Sequence, residues 1–369
     1  MATRATAEVP GARFCATSVA SVLTRGVGTA LKTGLIVLLL VTSGGVVRTD
    51  AAAQPAQTLA AAKAKKRCDG ITHRQVRGTE PVYTRKKLAK FTNSNKVCRG
   101  IWLPRPRRYF VPQGIAMAGR NTVWISGFRH RKGYGKRPCQ LMRVGLTTGR
   151  MVDFNRSIWG RVGKRPRTYC RHGGGILQRD GMLWVVEKNK LWLVNPKQSG
   201  PVLKARRVWR LESPVRGSAV VATATRIGMV PFKTRGAAYV HWFSLKRLMR
   251  PGVLDLAVRR QGRKQIGAVA RTRVPTYVQG AAMAGGRLFL TRSNLSCGEL
   301  VTPSGRRIGF VPGVEGIQFR GGNRRLWAIS ESGAPPYARS RKPLTAAVTS
   351  FGWLRLISGK PSKCRFRAR

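Results

Sequence analysis

A short pattern of apolar and polar positions returns along the chain, four times clearly and a fifth time faintly. Each copy holds a short apolar stretch, a turn rich in Gly, Asn or Asp, and a second apolar stretch centred on an aromatic residue. This pattern is typical of a β-hairpin. The clear copies begin at Gln113, Gly174, Gln279 and Glu315, and the faint copy begins at Arg216.

Each hairpin is followed by a second pair of short apolar segments. In the repeat that begins at Arg216 these segments are residues 238–243 and 253–258. Two hairpins per repeat make a four-stranded antiparallel sheet, and radial repetition of such sheets protects their edges. The sequence therefore predicts an all-β fold, a β-propeller of five to six four-stranded antiparallel blades. An open β-sandwich is the competing architecture, but it does not explain why the same hairpin returns.

The segment before the repeats and the recurring aromatic residues extend this prediction. Residues 68–108 hold only short apolar pieces, so they supply one outer strand or, by pairing with the C-terminal strand, a sixth blade. The aromatic residues stand at the same place in each clear repeat, and we expect them to form the core between blades. They are Trp124, Trp184, Phe289 and Trp327.

The N-terminal region has the composition of an export signal. Basic residues precede an apolar run, and small residues follow it, ending at Ala53. We expect residues 1–53 to be a signal peptide, with an uncleaved N-terminal anchor as the alternative. Residues 54–67 are rich in Ala and Lys and are predicted to be a flexible tether. Residues 68–369 form one propeller domain, secreted or held in the periplasm or cell envelope, with no membrane span in the mature chain.

The cysteines agree with export. Removal of the signal leaves an even set without the CxxC spacing typical of zinc sites, which indicates a disulfide framework. Fifteen pairings are open to six cysteines, and the order along the chain favours sequential pairing. The three predicted pairs are Cys68 with Cys98, Cys139 with Cys170, and Cys297 with Cys364.

The charge is extreme and of one sign. The chain carries 71 Lys and Arg against 12 Asp and Glu, a formal net charge of +59. Such a surface attracts anionic polymers or small anionic ligands, and nucleic acid only non-specifically. The alternative is a basic composition without any single partner. We expect a monomer.

One part of the second repeat carries a family resemblance. The stretch Gly175-Ile176, Leu183-Trp184-Val185 and then Leu191-Trp-Leu-Val-Asn-Pro resembles the blades of secreted bacterial propellers. The families are the streptogramin-lyase-like, gluconolactonase-like and NHL-type propellers, and the resemblance extends over residues 110–357. In the lactonase group it implies a divalent ion, Ca or Mg, bound at Glu315. In the lyase group it implies that His172 and Glu187 act with magnesium.

The residue before each leading glycine is a candidate ligand contact. In a propeller the innermost strands surround the axis, so these residues face the mouth of a central funnel, where a polar or anionic ligand binds. The alternative is that they cap backbone groups at the strand starts. The predicted ligand-binding set is Gln113, His172, Arg216, Gln279 and Arg292, the last from the end of a second strand.

Acidic residues are scarce, so two at matching strand ends are candidates for chemistry. Glu187 and Glu331, with His172, are the candidate catalytic residues, and with Glu315 they are also candidate ligands for a hard cation. The alternative is that the two carboxylates pair with neighbouring bases such as Lys188 and Arg339.

Other motifs add little. His130 lies in the Gly-rich basic loop of residues 127–137, which suits contact with phosphate or glycan or is a solvated insertion. Serine-nucleophile and phosphate-loop motifs are absent from the sequence.

These observations favour an exported propeller that binds an anionic ligand of the cell envelope or extracellular space and requires no cofactor. The alternative is a metal-assisted lactonase- or lyase-like enzyme that uses Ca or Mg at the funnel. A third hypothesis is a pure interaction scaffold. The sequence leaves open whether the protein is an enzyme.

Overall fold

The computed structural model describes residues 68–82, 86–104, 109–130, 137–338 and 344–366, which all belong to the unit Ala61–Arg369. The predicted signal (residues 1–53) and tether (residues 54–67) lie outside the described residues, as do residues 131–136 of the basic loop.

Short strands account for nearly all regular structure in the described ranges. The first strand is β1 (Val97–Ile101). The first blade contains β2 (Phe110–Met117), β3 (Thr122–Arg129), β4 (Cys139–Gly145) and β5 (Met151–Asn155). Two small strands follow, β6 (Ser157–Gly160) and β7 (Thr168–Tyr169). The second blade contains β8 (Gly175–Arg179), β9 (Met182–Glu187), β10 (Lys190–Val194) and β11 (Val202–Leu211).

The remaining strands continue the same order. The next three strands are β12 (Ala219–Ala222), β13 (Arg226–Val230) and β14 (Ala238–Ser244). After them come helix α1 (Leu245–Leu248), β15 (Asp255–Ala257), β16 (Gln265–Gly267) and β17 (Ala270–Val274). The fourth blade contains β18 (Val278–Ala284), β19 (Arg287–Asn294), β20 (Cys297–Val301) and β21 (Arg307–Phe310). The chain ends with β22 (Val314–Arg320), β23 (Arg325–Ser330), β24 (Val348–Gly352) and helix α2 (Trp353–Ile357).

The pairing of these strands is that of a β-propeller. Four sheets have four strands each, in the orders β2-β3-β4-β5, β12-β13-β14-β17, β18-β19-β20-β21 and β1-β24-β23-β22. The antiparallel set β8-β9-β10-β11 is part of an eight-stranded sheet, to which β6, β7, β15 and β16 are added. The predicted all-β propeller is confirmed. The number of blades differs slightly from the prediction. Four blades are separate four-stranded sheets, and a further antiparallel set of four strands belongs to the enlarged eight-stranded sheet.

One strand assignment made from the sequence is wrong, and one of two alternatives left open is decided. Residues 253–258 do not form the outer strand of the third blade, where β17 pairs with β14 instead. Strand β15 pairs in parallel with β11 of the preceding sheet, and Arg210 Nε donates to Asp255 Oδ1 at 2.7 Å across that contact. For the segment before the repeats the outer-strand alternative is confirmed, because β1 pairs with β24 and completes the last sheet, and the described residues of this segment make no sixth blade.

Aromatic residues fill the space between blades, as predicted. Trp124, Trp184, Phe289 and Trp327 are exposed by only 2%, 4%, 7% and 1%. Inner strands are covered on both faces, so six of the eight residues in β3 are buried. The outer half of β11 alternates exposed and buried residues, which is the pattern of a strand with one face in water.

The predicted sequential disulfides are all present. They join Cys68 to Cys98, Cys139 to Cys170, and Cys297 to Cys364. A bridge of this kind stabilises a fold by about 3 kcal/mol, mainly by restricting the unfolded chain. The last bridge fixes the C-terminal segment beside β20.

Backbone atoms of the inner strands pack directly against one another around the axis. A Cβ on Gly114 would lie 3.0 Å from Gly175 Cα, and one on Gly175 would lie 2.7 Å from Ala219 Cα. A Cβ on Gly316 would lie 3.0 Å from Gly114 Cα. We call Gly114, Gly175, Ala219, Gly280 and Gly316 the axial residues. The third blade therefore contributes Ala219 to the axis, not Gly217 as the repeat suggested.

In the part of the chain that the structure describes, no helix is both long enough and apolar enough to cross a membrane.

The close packing at the axis predicts that a single added methyl group destabilises the fold. A Cβ on Gly280 would lie 2.5 Å from the carbonyl oxygen of Glu315 and 2.9 Å from Gly316 Cα, and neither backbone atom can move easily. We expect Gly280→Ala to lower the free energy of unfolding by about 1–3 kcal/mol in urea titrations. Gly262→Ala is the control, because nothing lies within 4 Å of its Cβ. Equal stabilities of the two variants would contradict tight axial packing.

Candidate functional site

Three repeats place a polar residue in a β-bulge at the same end of the axis. The pairing register shifts between Pro112 and Gly114, between Val278 and Gly280, and between Val314 and Gly316. The skipped residues are Gln113, Gln279 and Glu315. A bulge changes the direction of a side chain, and here it turns all three toward one another. The structure thus places these sequence candidates together at the mouth of the propeller.

The axis beneath this mouth is nearly closed. The void lined by the axial residues and Glu315 has a volume of about 10 Å³, which is room for about one water molecule. A ligand therefore meets the mouth residues from outside and does not enter a wide funnel.

Hydrogen bonds join the mouth residues in a chain. Gln279 Nε2 donates to Glu315 Oε1 at 2.9 Å, and Gln113 Nε2 donates to Glu331 Oε2 at 2.8 Å. The two carboxyl groups are themselves hydrogen-bonded. We call Glu315 and Glu331 the carboxyl pair.

The carboxyl pair shares a proton near neutral pH. Burial, followed by the adjacent charge of Glu331, raises the pKa of Glu315 well above its ordinary value. Burial also raises the pKa of Glu331, to about 7, although hydrogen bonds from Gln113 and Glu315 act in the opposite direction. Glu315 consequently keeps its proton and donates it to Glu331, which is partly exposed. Such a pair can donate or accept a proton near neutral pH.

Tyr337 and His172 lie at the same end of the molecule. Burial, with a smaller effect of Glu331, raises the pKa of Tyr337 to about 12. Tyr337 packs against the buried cluster of Val111, Phe128 and Ala334. The ring of Phe128 stacks on that of His172, with centroids 4.3 Å apart. Burial and the nearby Arg137 lower the pKa of His172 to about 4, so this imidazole is neutral at physiological pH.

Other predicted site residues are engaged elsewhere. Glu187 is 2% exposed and accepts from the backbone N of Arg171 at 2.7 Å and from Lys190 Nζ at 3.2 Å. Its base is therefore Lys190, not Lys188. Arg216 donates to the carbonyl of Val215 at 2.9 Å. These contacts are structural, and they leave Glu187 and Arg216 outside the mouth cluster.

Arg292 also serves the fold. It donates to Glu299 Oε1 at 2.6 Å, and Arg307 donates to the other oxygen of the same carboxylate at 2.7 Å. Arg307 holds the carbonyl of Cys364 as well, at 3.0 Å. This buried group therefore fixes the C-terminal segment and is not directed at a ligand.

The donors at the mouth do not fit the divalent ion that the lactonase resemblance implies. Calcium takes six to eight oxygen ligands, whereas the carboxyl pair is hydrogen-bonded to itself and receives amide nitrogens from Gln113 and Gln279. Within the described ranges, no group of three or more His, Cys, Asp or Glu side chains is placed to hold a metal ion.

Sequence reasoning missed Tyr337 and Phe128. Tyr337 lies in the Pro-rich loop after Glu331, and its Pro-Pro-Tyr sequence is the one signal for an ordered loop over the mouth. Phe128 lies in the basic loop of residues 127–137, where only His130 was a candidate. Arg339, the alternative partner for Glu331, lies outside the described residues.

Comparisons with known proteins find only distant similarities. No protein-family model matches this sequence. No curated protein matches it either. Among solved structures, BamB from Moraxella catarrhalis is similar at 15% identity and a TM-score of 0.28, over 65% of this chain and 59% of that one. The luciferin-regenerating enzyme is similar at 8% identity and a TM-score of 0.38, over 71% and 96%.

A third similar structure is the Pan2 WD40 domain of Neurospora crassa, at 10% identity and a TM-score of 0.29, over 69% of this chain and 65% of that one. The chain thus spans less than two thirds of BamB and of the Pan2 domain. Likenesses of this size carry no argument about activity, and the streptogramin-lyase, lactonase and NHL families are not confirmed. The class, a disulfide-bonded β-propeller, rests on the strand pairing itself.

The carboxyl pair predicts a pH dependence of stability. Its raised pKa values mean that the folded protein binds more protons than the unfolded chain, so the stabilisation is full below the ordinary pKa of 4.5 and is lost as pH rises through about 7. We expect the wild-type protein to lose about 1–3 kcal/mol more stability than Glu331→Gln between about pH 5 and pH 8. Urea titrations across this range measure the difference.

His172 also makes stability depend on pH, in the opposite direction to the carboxyl pair. Its pKa is lowered to about 4, so its stabilisation is lost as pH falls below 6.5, the opposite direction. Because both proteins contain His172, its effect cancels in the comparison. Parallel pH profiles for the wild-type protein and Glu331→Gln would show that the carboxyl pair does not share a proton.

Proposed function

We propose that this protein is an exported β-propeller binding module for an anionic ligand of the cell envelope or extracellular space. Three observations support the proposal: the excess of basic residues, the internal use of almost all acidic residues, and disulfides of the kind that persist in oxidising compartments.

The proposal rests mainly on the observation that the acidic side chains are engaged in contacts within the fold. Contacts with Arg, Lys or His side chains of the fold use seven of the acidic residues that the structure describes: Asp69, Glu80, Asp180, Glu187, Glu212, Asp255 and Glu299. Two others form the carboxyl pair, and Asp153 accepts from the backbone N of Phe154 at 2.7 Å. Hardly any carboxylate is left to neutralise the exposed bases.

Exposed bases consequently keep a strong positive potential at the surface. In the loop before β7, Arg161, Lys164, Arg165 and Arg167 are all exposed, and Arg167 lies 4.0 Å over the ring of Trp159. Clustered like charge of this kind raises the local concentration of anions and accelerates their association. The mouth of the propeller is different, because it presents carboxyl groups, so an anionic ligand is expected on the basic surface and not at the mouth.

The proposal predicts salt-sensitive binding of polyanions. With fluorescently labelled poly(glycerol phosphate), a sulfated glycan, single-stranded DNA and anionic vesicles as probes, we expect at least one to bind at low salt. Its association constant should fall by about 10³-fold or more between about 50 and 200 mM salt, because bound counterions are released. Lysozyme at equal concentration is a basic control protein. Absence of binding at low salt, or binding that salt does not weaken, would contradict the proposal.

A second candidate function is acid–base catalysis at the mouth. The observation that favours it is a carboxyl pair with one pKa of about 7, partly open to solvent beside Tyr337. Hydrolysis of a lactone or a related elimination needs one group that accepts a proton and one that donates it. Glu331 would accept and Glu315 would donate, without a metal.

This candidate predicts turnover that depends on one carboxylate. We expect hydrolysis within a panel of lactones to fall by about 10²-fold or more in Glu331→Gln, whereas Glu187→Gln, which changes a carboxylate outside the mouth, keeps its rate.

Thermal unfolding with millimolar calcium or magnesium tests the metal-assisted version, since a bound ion raises the midpoint of thermal unfolding. A rise that is lost in Glu315→Gln would restore the metal site, and no turnover of any lactone would remove the enzyme hypothesis.

A further inference from the structure

The five inner hairpins bring their turns together at the end of the propeller opposite the mouth. In every blade the fifth residue after the axial residue lies in the turn, so strand segments of three or four residues beyond the axial residue carry all five turns to a similar depth. The residues at this distance are Gly119, Asp180, Ala224, Gly285 and Gly321.

Direct contacts agree with this placement. Three of the turns line one depression of about 370 Å³, which contains residues 177–179, 222–224 and 283–286. Arg179 crosses from one turn to the next and donates to the carbonyls of Thr223 and Ala224, the latter at 2.7 Å. The fourth and fifth turns meet where a Cβ on Gly285 would lie 3.9 Å from Asn323 Nδ2.

Each of these turns carries an arginine in or beside it. We call the set the arginine ring: Arg120, Arg179, Arg226, Arg287 and Arg324. All but Arg179 are exposed, and the last turn adds Arg320 and Arg325. The five turns contain a single acidic residue, Asp180, which pairs with Arg179 at 3.0 Å.

The arginines of the last turn repel one another. Burial, together with the charges of Arg99 and Arg320, lowers the pKa of Arg325. A guanidinium does not lose its proton in a protein, so this repulsion persists until an anion reduces it. Arg99 comes from β1, which extends the positive region to the outer edge of the same blade.

The composition of the turns indicates the chemistry of the ligand. The guanidinium fork matches the oxygens of a phosphate group and binds them in pairs. Proteins that hold single-stranded nucleic acid add aromatic side chains on which bases stack. The turn residues are small or polar, and none of the five turns contains an aromatic residue. This surface therefore suits a phosphodiester chain without bases.

We propose that the arginine ring binds one strand of a phosphodiester polymer that lacks bases. The strand lies across the depression at the end of the propeller opposite the mouth. This inference rests on the proposed function and names its surface and ligand class. Successive phosphates meet arginines of successive blades, while the depression accommodates the uncharged linking groups.

Two matched variants test the assignment in the full-length protein. The ring variant combines Arg120→Gln, Arg226→Gln, Arg287→Gln and Arg324→Gln, and it leaves the bridging Arg179 unchanged. The control variant combines Arg206→Gln, Arg259→Gln, Arg263→Gln and Arg273→Gln, all exposed, distant in sequence from the five turns and outside the basic loop before β7. Both lose the same charge. The double variant Arg120→Gln/Arg287→Gln is a milder ring variant if the fourfold one unfolds.

The probe is poly(glycerol phosphate), with single-stranded DNA of equal phosphate number beside it. We expect the ring variant to bind the polymer at least about tenfold more weakly and with a salt dependence lower by about two to four released ions, while the control keeps its affinity within about threefold. The wild-type protein should prefer the polymer to DNA.

The outcomes separate the two proposals. If the wild-type protein binds no polyanion, the proposed function fails. If it binds the polymer and the ring and control variants weaken equally, the arginine ring is overturned and the proposed function stands. Tighter binding of DNA than of the polymer would overturn the ligand class.

Discussion

The fold depends on backbone contact around the axis. Five inner strands approach so closely that a Cβ on Gly114, Gly175, Gly280 or Gly316 would meet atoms of the neighbouring strand within about 3 Å. Only a residue without a side chain, or with the smallest one as at Ala219, fits there, and this requirement fixes the level of each strand relative to the next. In three blades the bulged residue directly precedes the axial residue, and in all five blades the turn lies five residues after it. The packing at the axis therefore positions both the mouth residues and the arginine ring.

Much of this architecture was predictable because it is repeated. Alternating apolar positions with glycine turns specify hairpins locally, and the even set of cysteines favoured the pairing that is found. Predictions failed where partners are distant in sequence. Asp255 joins the second sheet through its ion pair with Arg210, and no local pattern distinguishes that from a place beside β14. Likewise the repeat contains a glycine at Gly217, yet Ala219 occupies the axis, because only the neighbouring strand shows which residue is at that level.

The candidate site was predicted in position but not in bonding. In three repeats the residue before the leading glycine lies in a bulge at the mouth, namely Gln113, Gln279 and Glu315, whereas Arg216 donates to a nearby backbone carbonyl. What those residues contact depends on Glu331 and the loop after it, which belongs to one blade only. Arg292 shows the opposite case: it lies opposite Glu299 in the β19–β20 register, so strand pairing alone would have assigned it to an ion pair. Scarce acids in a very basic chain are used for structure first, and Glu315 and Glu331 are exceptions because each satisfies the other.

The pairing of β1 with β24 joins residues such as Ile101 and Val348, which are separated by about two thirds of the chain. A polypeptide that leaves its site of synthesis or crosses a membrane with its N-terminus first delivers β1 early and β24 near the end. Until then β1 and each newest inner strand are unpaired edges, open to pairing with other chains. The circle can therefore be closed only by the last segment to arrive, so premature termination anywhere before Val348 yields an open arc, not a smaller propeller. The unpaired edges of that arc therefore need protection from other chains until the last strand is in place.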